Sequence, residues 1–227
     1  MISAIVLAGG SSRRMGPGVD KLRQVIAGRP LLAHSLLAFS RSSIVDEIVL
    51  VSREDRREDY RRLADEHGVT KLSRIIAGGV ERQDSVWCGL MEVSASSEVV
   101  LIHDGARPCV THDIITRCVE GARSRGAVIP AARVKDTIKK AGADLRIEDT
   151  PDRSMLWAAQ TPQTFLTPLI KEAYEPLIRR KIVVTDDACA VERLGRPVWI
   201  VECPPTNLKV TTQEDFRLAG QILQAAG

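Results

Sequence analysis

Short apolar runs alternate along the chain with stretches in which apolar residues recur every three or four positions. Six of the runs, rich in Val and Ile, have the length of buried strands: residues 2–7, 47–51, 74–76, 99–102, 127–130 and 198–201. Strands that alternate with amphipathic helices are typical of βαβ units around a parallel sheet. The pattern predicts an α/β fold: a single Rossmann-like domain over residues 1–227, with a mostly parallel sheet flanked by helices.

Several intervening stretches carry a helical stripe of apolar side chains. One stripe runs through residues 114–122, and another joins Val86, Leu90 and Val93. Near the end of the chain, Thr212 and Asp215 have the spacing of a capping box ahead of a third stripe. These stretches predict helices that cover the sheet.

The polar segment of residues 133–153 interrupts this alternation. Thr137-Ile138-Lys139, a turn near Ala141-Gly142-Ala143, and Leu145 and Ile147 at period two predict a hairpin with little apolar surface. Such a hairpin is marginal alone and needs a partner. We therefore expect residues 132–154 to form a protruding β-hairpin arm that makes a homodimer; the alternative is a surface excursion without a partner.

Composition and charge narrow the function classes. With 44% apolar and 27% charged residues and a net charge of +3, the chain lacks the dense basic patches of nucleic-acid binders. Its five cysteines contain no Cys-x-x-Cys pair, and no apolar run approaches a membrane span. The first residues read as a strand rather than a signal peptide. We expect no nucleic-acid partner, no membrane association and a cytoplasmic location.

A glycine-rich segment follows the first strand. It reads Leu7-Ala8-Gly9-Gly10-Ser11-Ser12-Arg13-Arg14-Met15-Gly16, with Asp20-Lys21 after it. Glycines let backbone N–H groups approach a phosphate closely, and the two cations add charge where a triphosphate would lie. The segment is neither G-x-G-x-x-G nor a Walker loop. It predicts a nucleotide site with Ala8, Gly9, Gly10, Arg14 and Lys21; a plain tight turn is the alternative.

Two further segments lie after predicted strands. Gly79, Arg82 and Ser85 open a helix, where free N–H groups and a hydroxyl could bind a base or ribose, although a simple helix cap has the same pattern. Asp104 follows residues 99–102 at the edge where open α/β sheets bind ligands, and could hold Mg²⁺ or a ribose hydroxyl. Arg107 could bind a phosphate, or form a structural ion pair with Asp104.

His103 precedes Asp104 and suggests general-base chemistry at first sight. A phosphate monoester, however, is already nucleophilic at neutral pH and needs no base. We therefore interpret His103 as a packing or hydrogen-bonding residue.

The opening segment resembles that of the sugar-phosphate nucleotidyltransferase superfamily, and later motifs resemble the 2-C-methyl-D-erythritol 4-phosphate cytidylyltransferases of the non-mevalonate isoprenoid pathway. The motifs occur in that family's order and span nearly the whole chain: residues 78–86 (GGVERQDSV), 103–108 (HDGARP), 135–139 (KDTIK), 156–165 (LWAAQTPQTF), 185–188 (TDDA) and 207–211 (NLKVT). The resemblance implies a nucleotidyltransferase that joins CTP to a phosphorylated polyol.

The resemblance also implies roles for individual residues. Arg14 and Lys21 would be catalytic, stabilising the transition state on the triphosphate, and Asp104 would be the metal ligand for Mg²⁺ or another divalent cation. The nucleotide would contact Ala8, Gly9, Gly10, Arg14, Lys21, Gly79, Arg82, Ser85, Asp104 and Gly105. The acceptor would contact Asp104, Arg107, Thr137, Arg153, Thr185 and Lys209, with Arg153 supplied by the other subunit.

Departures from the family pattern keep other substrates open. Gly10 and Ser12 stand where the family has Ala and Gly, and Asp20-Lys21-Leu22 replaces Pro-Lys-Gln. This opening is closer to that of molybdopterin guanylyltransferases, which use GTP, and ribitol-5-phosphate cytidylyltransferases share much of the scaffold. A non-catalytic nucleotide-binding module is the alternative from a different class.

Overall fold

A mixed sheet of eight strands forms the centre of the protein, which is described here by a computed structural model covering residues 1–10 and 20–225. Its strands are β1 (Ile2–Ala8), β4 (Glu47–Ser52), β5 (Leu72–Ala77), β6 (Val99–Asp104), β7 (Ala127–Arg133), β10 (Trp157–Ala159), β11 (Gln163–Leu166) and β12 (Trp199–Glu202). The strand order is β10-β7-β11-β6-β1-β4-β5, and β12 pairs with β7. Two-stranded pairs join β2 (Val25–Ile26) with β3 (Arg29–Pro30), and β8 (Lys140–Ala141) with β9 (Ile147–Asp149).

Helices cover both faces of the sheet. They are α1 (Leu31–Ser40), α2 (Arg57–Glu66), α3 (Arg82–Glu92), α4 (His112–Arg125), α5 (Thr167–Arg180), α6 (Asp187–Arg193) and α7 (Gln213–Ala225). Buried side chains of α1, α2, α4 and α7 pack in one cluster, and those of α3, α5 and α6 in another. Neighbouring residues of β1 point alternately into the two clusters, as the period of a strand requires. In the described part of the chain, no helix is long and apolar enough to cross a bilayer.

The predicted α/β fold is confirmed, and each of the six predicted strands forms. Pairings β1–β4, β1–β6, β4–β5 and β7–β12 are parallel. The sequence pattern missed β10 and β11, which run antiparallel to their neighbours. Because β1, β4, β5 and β6 are parallel, their carboxyl ends meet at one edge of the sheet.

The predicted helices also form. The capping box before α7 is present, since the Thr212 hydroxyl accepts from the Asp215 N–H at 3.2 Å and the Asp215 carboxylate accepts from the Thr212 N–H at 2.8 Å. The stripe of residues 114–122 is the buried face of α4.

The segment between β7 and β10 leaves the sheet and carries the predicted hairpin. Its strands β8 and β9 are antiparallel, and all of their residues are exposed. The turn lies at residues 142–146, one residue beyond the position predicted from the glycine, and Leu145 occupies it with a φ of 63° instead of lying in a strand. Ile138, Leu145, Ile147 and Met155 all expose apolar side chains.

Candidate active site

A cleft of about 430 Å³ opens where the parallel strands end. It is lined by many of the predicted site residues: Gly9, Gly10, Lys21, Gly79, Arg82, Ser85, Asp104 and Lys209. Leu7, Leu22, Val80, Glu81 and Ala106 complete the lining. The sheet edge thus brings together four segments that lie far apart in the sequence.

Lys21 stands at the start of a short 3₁₀ turn, Lys21–Arg23. Asp20 fixes this turn, because its carboxylate accepts from the Leu22 N–H at 3.1 Å and from the Tyr60 hydroxyl at 3.0 Å. The Lys21 Nζ donates to the Val210 carbonyl at 2.8 Å. The ammonium group is therefore held beside the segment that carries Lys209.

Gly78 and Gly79 make a close approach to the start of α3. A Cβ on Gly78 would lie 2.5 Å from the Ser85 Oγ, and one on Gly79 would lie 2.2 Å from the Asp84 Cβ. The Gly79 N–H donates to the Ser85 Oγ at 3.2 Å, and Glu81 and Asp84 form a reciprocal capping box. The segment is thus a helix cap, as the alternative held, and it also lines the cleft.

Asp104 ends β6 and lies among three cationic side chains. Its carboxylate is 3.0 Å from the Lys209 Nζ, 3.5 Å from the Arg107 Nε and 3.5 Å from the Arg82 Nε. Burial alone would raise the pKa of Asp104, but the charges of Lys209, Arg82 and Arg107 outweigh it and hold that pKa well below its usual range. Asp104 is therefore a carboxylate at every physiological pH.

Arg107 forms the structural ion pair that was the alternative to phosphate binding. Its side chain is only 11% exposed, and its Nη1 donates to the Asn207 carbonyl at 2.8 Å. Arg107 does not line the cleft, and its ion pair with Asp104 connects it to the lining. The side-chain amide of Asn207 donates to the Thr161 carbonyl at 2.9 Å, which ties the loop before α7 to the sheet.

His103 is fully buried, as its interpretation as a packing residue requires. Its Nε2 lies 3.1 Å from the Arg107 carbonyl, which can only accept, so the ring carries its proton there. Its Nδ1 lies 3.1 Å from the Thr161 hydroxyl, which in turn accepts from the Asp104 N–H at 3.0 Å. Burial lowers the pKa of His103 to about 4, so the ring is neutral and structural.

Two buried residues behind the cleft lining, Asp187 and Tyr174, were not predicted from the sequence. The Arg82 guanidinium forms a two-pronged ion pair with Asp187, at 2.9 and 2.8 Å, and the Tyr174 hydroxyl donates to the same carboxylate at 2.5 Å. Asp187 belongs to the motif of residues 185–188 that resembles the family, but the resemblance implied a role only for Thr185 in that motif. Tyr174 gives no signal in the sequence beyond its place on an apolar helix face.

Other predicted residues lie outside the cleft lining. Ala8 is buried in β1, and the Gly105 N–H donates to the carbonyl of the lining residue Leu7 at 2.9 Å. Thr185 is exposed on the segment before α6. Arg14 lies outside the described residues, as does Ser12, which stands where the family has a loop glycine.

Thr137 and Arg153 both lie on the exposed arm. The Arg153 Nη1 donates to the Lys135 carbonyl at 2.8 Å, which anchors it to the arm's own backbone. Neither side chain lines the cleft of its own chain. Their predicted contact with the acceptor therefore depends on the predicted second subunit.

Comparison with known proteins agrees with this geometry. The family model for 2-C-methyl-D-erythritol 4-phosphate cytidylyltransferase matches residues 2–225. The enzyme of that name from Lachnospira eligens is 46% identical over 99% of this chain and 100% of its own length. The one from Geobacillus kaustophilus is 46% identical over 97% of this chain and 96% of its own length.

Solved structures give the same result. A 4-diphosphocytidyl-2C-methyl-D-erythritol synthase from Anaerococcus prevotii superposes with a TM-score of 0.86 at 34% identity, covering 98% of both chains. A 2-C-methyl-D-erythritol 4-phosphate cytidylyltransferase from Thermus thermophilus gives a TM-score of 0.79 at 28% identity, covering 97% of this chain and 98% of that one. Sequence, fold and cleft agree: the chain belongs to the 2-C-methyl-D-erythritol 4-phosphate cytidylyltransferase family.

Proposed function

We propose that this protein transfers a cytidylyl group from CTP to 2-C-methyl-D-erythritol 4-phosphate. The products are 4-diphosphocytidyl-2-C-methyl-D-erythritol and pyrophosphate. This reaction is a step in the synthesis of isoprenoid precursors. Full-length relatives carry the name of this activity at 46% identity. The observation that carries the proposal is the cleft that joins the glycine-rich segment, Lys21, Asp104 and Lys209 at the carboxyl edge of the sheet.

The reaction is a single displacement. A phosphate oxygen of the acceptor forms a bond to the α-phosphorus of CTP, the bond from that phosphorus to the bridging oxygen breaks, and pyrophosphate leaves with the electron pair. The acceptor phosphate is already ionised, so no general base is required. The neutral, buried His103 agrees with this requirement. Catalysis then consists of positioning the reactants and stabilising charge.

Lys21 supports the leaving group in this proposal. Negative charge moves onto the pyrophosphate in the transition state, and an ammonium held beside it lowers the barrier. The hydrogen bond to the Val210 carbonyl holds the ammonium group at the cleft. Arg14 has the same proposed role.

Lys209 contacts the acceptor phosphate, Arg107 contributes indirectly through its ion pair with Asp104, and Thr137, Arg153 and Thr185 complete the site. Lys209 is 40% exposed and reaches the cleft directly, whereas Arg107 supports the site from below through Asp104. Thr137 and Arg153 lie on an arm that exposes the apolar side chains of Ile138, Leu145 and Ile147, and neither residue lines the cleft described above in its own chain. This supports a homodimer in which each arm completes the partner's site.

The residues of the cleft fit a divalent cation that is shared with the nucleotide. Mg²⁺ binds through one or two carboxylates plus substrate phosphates, and Asp104 lines the cleft as an ionised carboxylate. The described residues contain no group of three or more potential ligands, so Asp104 would be the protein's contribution. The cation would neutralise charge on the triphosphate.

The five cysteines support a location in the reducing cytoplasm, because all five are free thiols.

The test is pyrophosphate release by the purified protein with Mg²⁺ and 2-C-methyl-D-erythritol 4-phosphate, comparing CTP, GTP, UTP and ATP. Release with CTP alone is the expected result. Release only with GTP, or only when ribitol 5-phosphate or molybdopterin replaces the acceptor, would reject the proposed substrates and support the corresponding alternative. Binding of CTP without any turnover would support the non-catalytic module.

A further inference from the structure

Asp187 is a fully buried carboxylate at the first position of α6. Both of its oxygens are used: Oδ1 accepts from the Arg82 Nη1 at 2.9 Å and from the Tyr174 hydroxyl, and Oδ2 accepts from the Arg82 Nη2 at 2.8 Å. Tyr174 is itself fully buried in α5. The triad therefore connects α5 and α6 to the residue that opens α3.

A buried carboxylate is costly unless a cation and hydrogen bonds compensate it. Arg82 supplies the cation in the two-pronged geometry that fixes a guanidinium plane most firmly. The arginine side chain is 32% exposed and lines the cleft. The buried carboxylate thus holds the Arg82 guanidinium, while part of the arginine side chain stays exposed at the wall of the cleft.

The alternative partner for Arg82 is Asp104, whose Oδ1 lies 3.5 Å from the Arg82 Nε. Asp104 already has Lys209 at 3.0 Å and Arg107 at 3.5 Å. Without Asp187, the Arg82 guanidinium would be drawn onto Asp104 and away from its place at the wall. Asp187 therefore divides the cations of the cleft between two carboxylates.

We propose that Asp187, supported by Tyr174, is a positioning residue that holds Arg82 in place to bind the nucleotide. The inference rests on the proposed function, since it assigns the nucleotide side of the same cleft. Two N–H groups of Arg82 go to Asp187, and a guanidinium has five. The Nε faces Asp104 at 3.5 Å, so the second N–H group of each Nη is the donor left for a nucleotide, and both are preorganised because the fork is fixed.

The experiment measures separate KM values for nucleotide and acceptor in the variant Asp187→Asn. The variant keeps the shape of the side chain but opposes an amide NH₂ to one Nη of Arg82. We expect the nucleotide KM to rise about 10-fold, with kcat and the acceptor KM changed less than about threefold, because a ground-state contact is lost. A purely structural Asp187 would lower the melting temperature and the active fraction but leave both KM values of the folded enzyme unchanged.

Asp186→Asn is the matched control, because it removes the same charge one residue away. Asp186 caps α6 by accepting from the Cys189 N–H at 2.9 Å, which Asn also does, and its other oxygen accepts from the Gln163 side-chain amide at 2.9 Å, so the control also opposes an amide NH₂ to a donor. Its nucleotide KM should match that of the wild type. Tyr174→Phe removes only the hydroxyl donor to Asp187 and is the variant to use if Asp187→Asn does not fold; its nucleotide KM should rise about two- to threefold.

A double-mutant cycle with Arg82→Met decides whether Asp187 acts through Arg82. In that background Asp187→Asn should change the nucleotide KM less than about twofold. An unchanged nucleotide KM in folded Asp187→Asn, or effects of the two substitutions that multiply, would overturn the inference. The KM values of the variants are measured with whichever nucleotide the wild type turns over. Turnover of a nucleotide other than CTP would therefore reject the proposed function but leave this test valid. If the wild type turns over none, equilibrium binding of CTP to the same variants decides it.

Discussion

Replacing Lys209 by Met separates loss of function from loss of fold, because this lysine has an exposed side chain and a central position in the site. Its Nζ lies 3.0 Å from the Asp104 Oδ2, and its side chain is 40% exposed. Asp104 is only 11% exposed, but the lysine end of the pair is open to water, and ion pairs in contact with water contribute up to about 1 kcal/mol to the free energy of unfolding. Asp104 keeps Arg82 and Arg107 after the substitution, so it is not left as an uncompensated buried charge.

The stability cost of Lys209→Met should therefore stay below about 1 kcal/mol, a fall in melting temperature of less than about 4 °C. The catalytic cost should be much larger. Loss of a preorganised cation beside the reacting phosphates lowers kcat/KM by about 10²- to 10³-fold, or about 3–4 kcal/mol of transition-state stabilisation. The expected signature is an inactive protein that melts almost like the wild type.

Thermal unfolding followed by circular dichroism gives the first quantity, and initial rates of pyrophosphate release give the second. Lys171→Met on α5 is the control, since it makes the same change away from the cleft lining and should leave both unchanged. A kcat/KM within about fivefold of the wild type would remove Lys209 from the site. A fall in melting temperature beyond about 10 °C would show that the lysine is structural and that the loss of activity has a different cause.

Four further predictions follow from named contacts. Lys21→Ala should lower kcat by at least about 100-fold with a small change in nucleotide KM, because the charge of Lys21 matters most as pyrophosphate leaves. A near-normal kcat in stopped assays would exclude a catalytic role for Lys21. Arg153→Ala should raise the acceptor KM. Mixing this variant with inactive Lys21→Ala subunits should restore activity if each site contains residues of both subunits; mixtures without restored activity would argue against an arm that completes the partner's site. Since the pKa of His103 falls from 6.5 to about 4 on folding, stability should be complete above pH 6.5 and decline by up to about 3 kcal/mol as pH falls to 4. Urea unfolding should show a flatter profile over this range for His103→Gln. Gly79→Ala should weaken nucleotide binding and lower stability, because its Cβ would lie 2.2 Å from the Asp84 Cβ; calorimetry showing wild-type CTP affinity would contradict this.

The central fold could be predicted from the sequence because a continuous run of apolar residues indicates a strand that is buried on both faces of the sheet. Strands β1 and β6 are almost entirely buried, so their period and composition leave little choice. Strands β10 and β11 gave no such signal, since they contain three and four residues and β10 is partly exposed. Their pairing with β7 is set by tertiary contacts rather than by local pattern.

The candidate site was predictable where a segment's local chemistry matched its place at a strand end, as for Gly79 and Asp104. Partners that come from distant segments were not predictable in this way. Asp187 meets Arg82 across 105 positions of sequence, and Thr161 meets His103 across 58. For Arg107, the sequence could not distinguish a phosphate-binding fork from a buried pair with Asp104, because both use the same residues and only burial separates them.

The arm shows a third limit. Its polar, weakly patterned residues predicted a hairpin correctly, but the register was wrong around Leu145, which lies in the turn at φ 63°. With no apolar face packed against the core, little in the sequence fixes which residues pair.

The most direct test of the account is the ³¹P NMR spectrum of a reaction containing the protein, Mg²⁺, CTP and 2-C-methyl-D-erythritol 4-phosphate. We predict loss of the phosphomonoester signal and the triphosphate signals, with two coupled doublets of a new diphosphate diester and one equivalent of pyrophosphate. A phosphomonoester signal that persists while CTP is consumed, or no reaction at all, would contradict cytidylyl transfer to this acceptor.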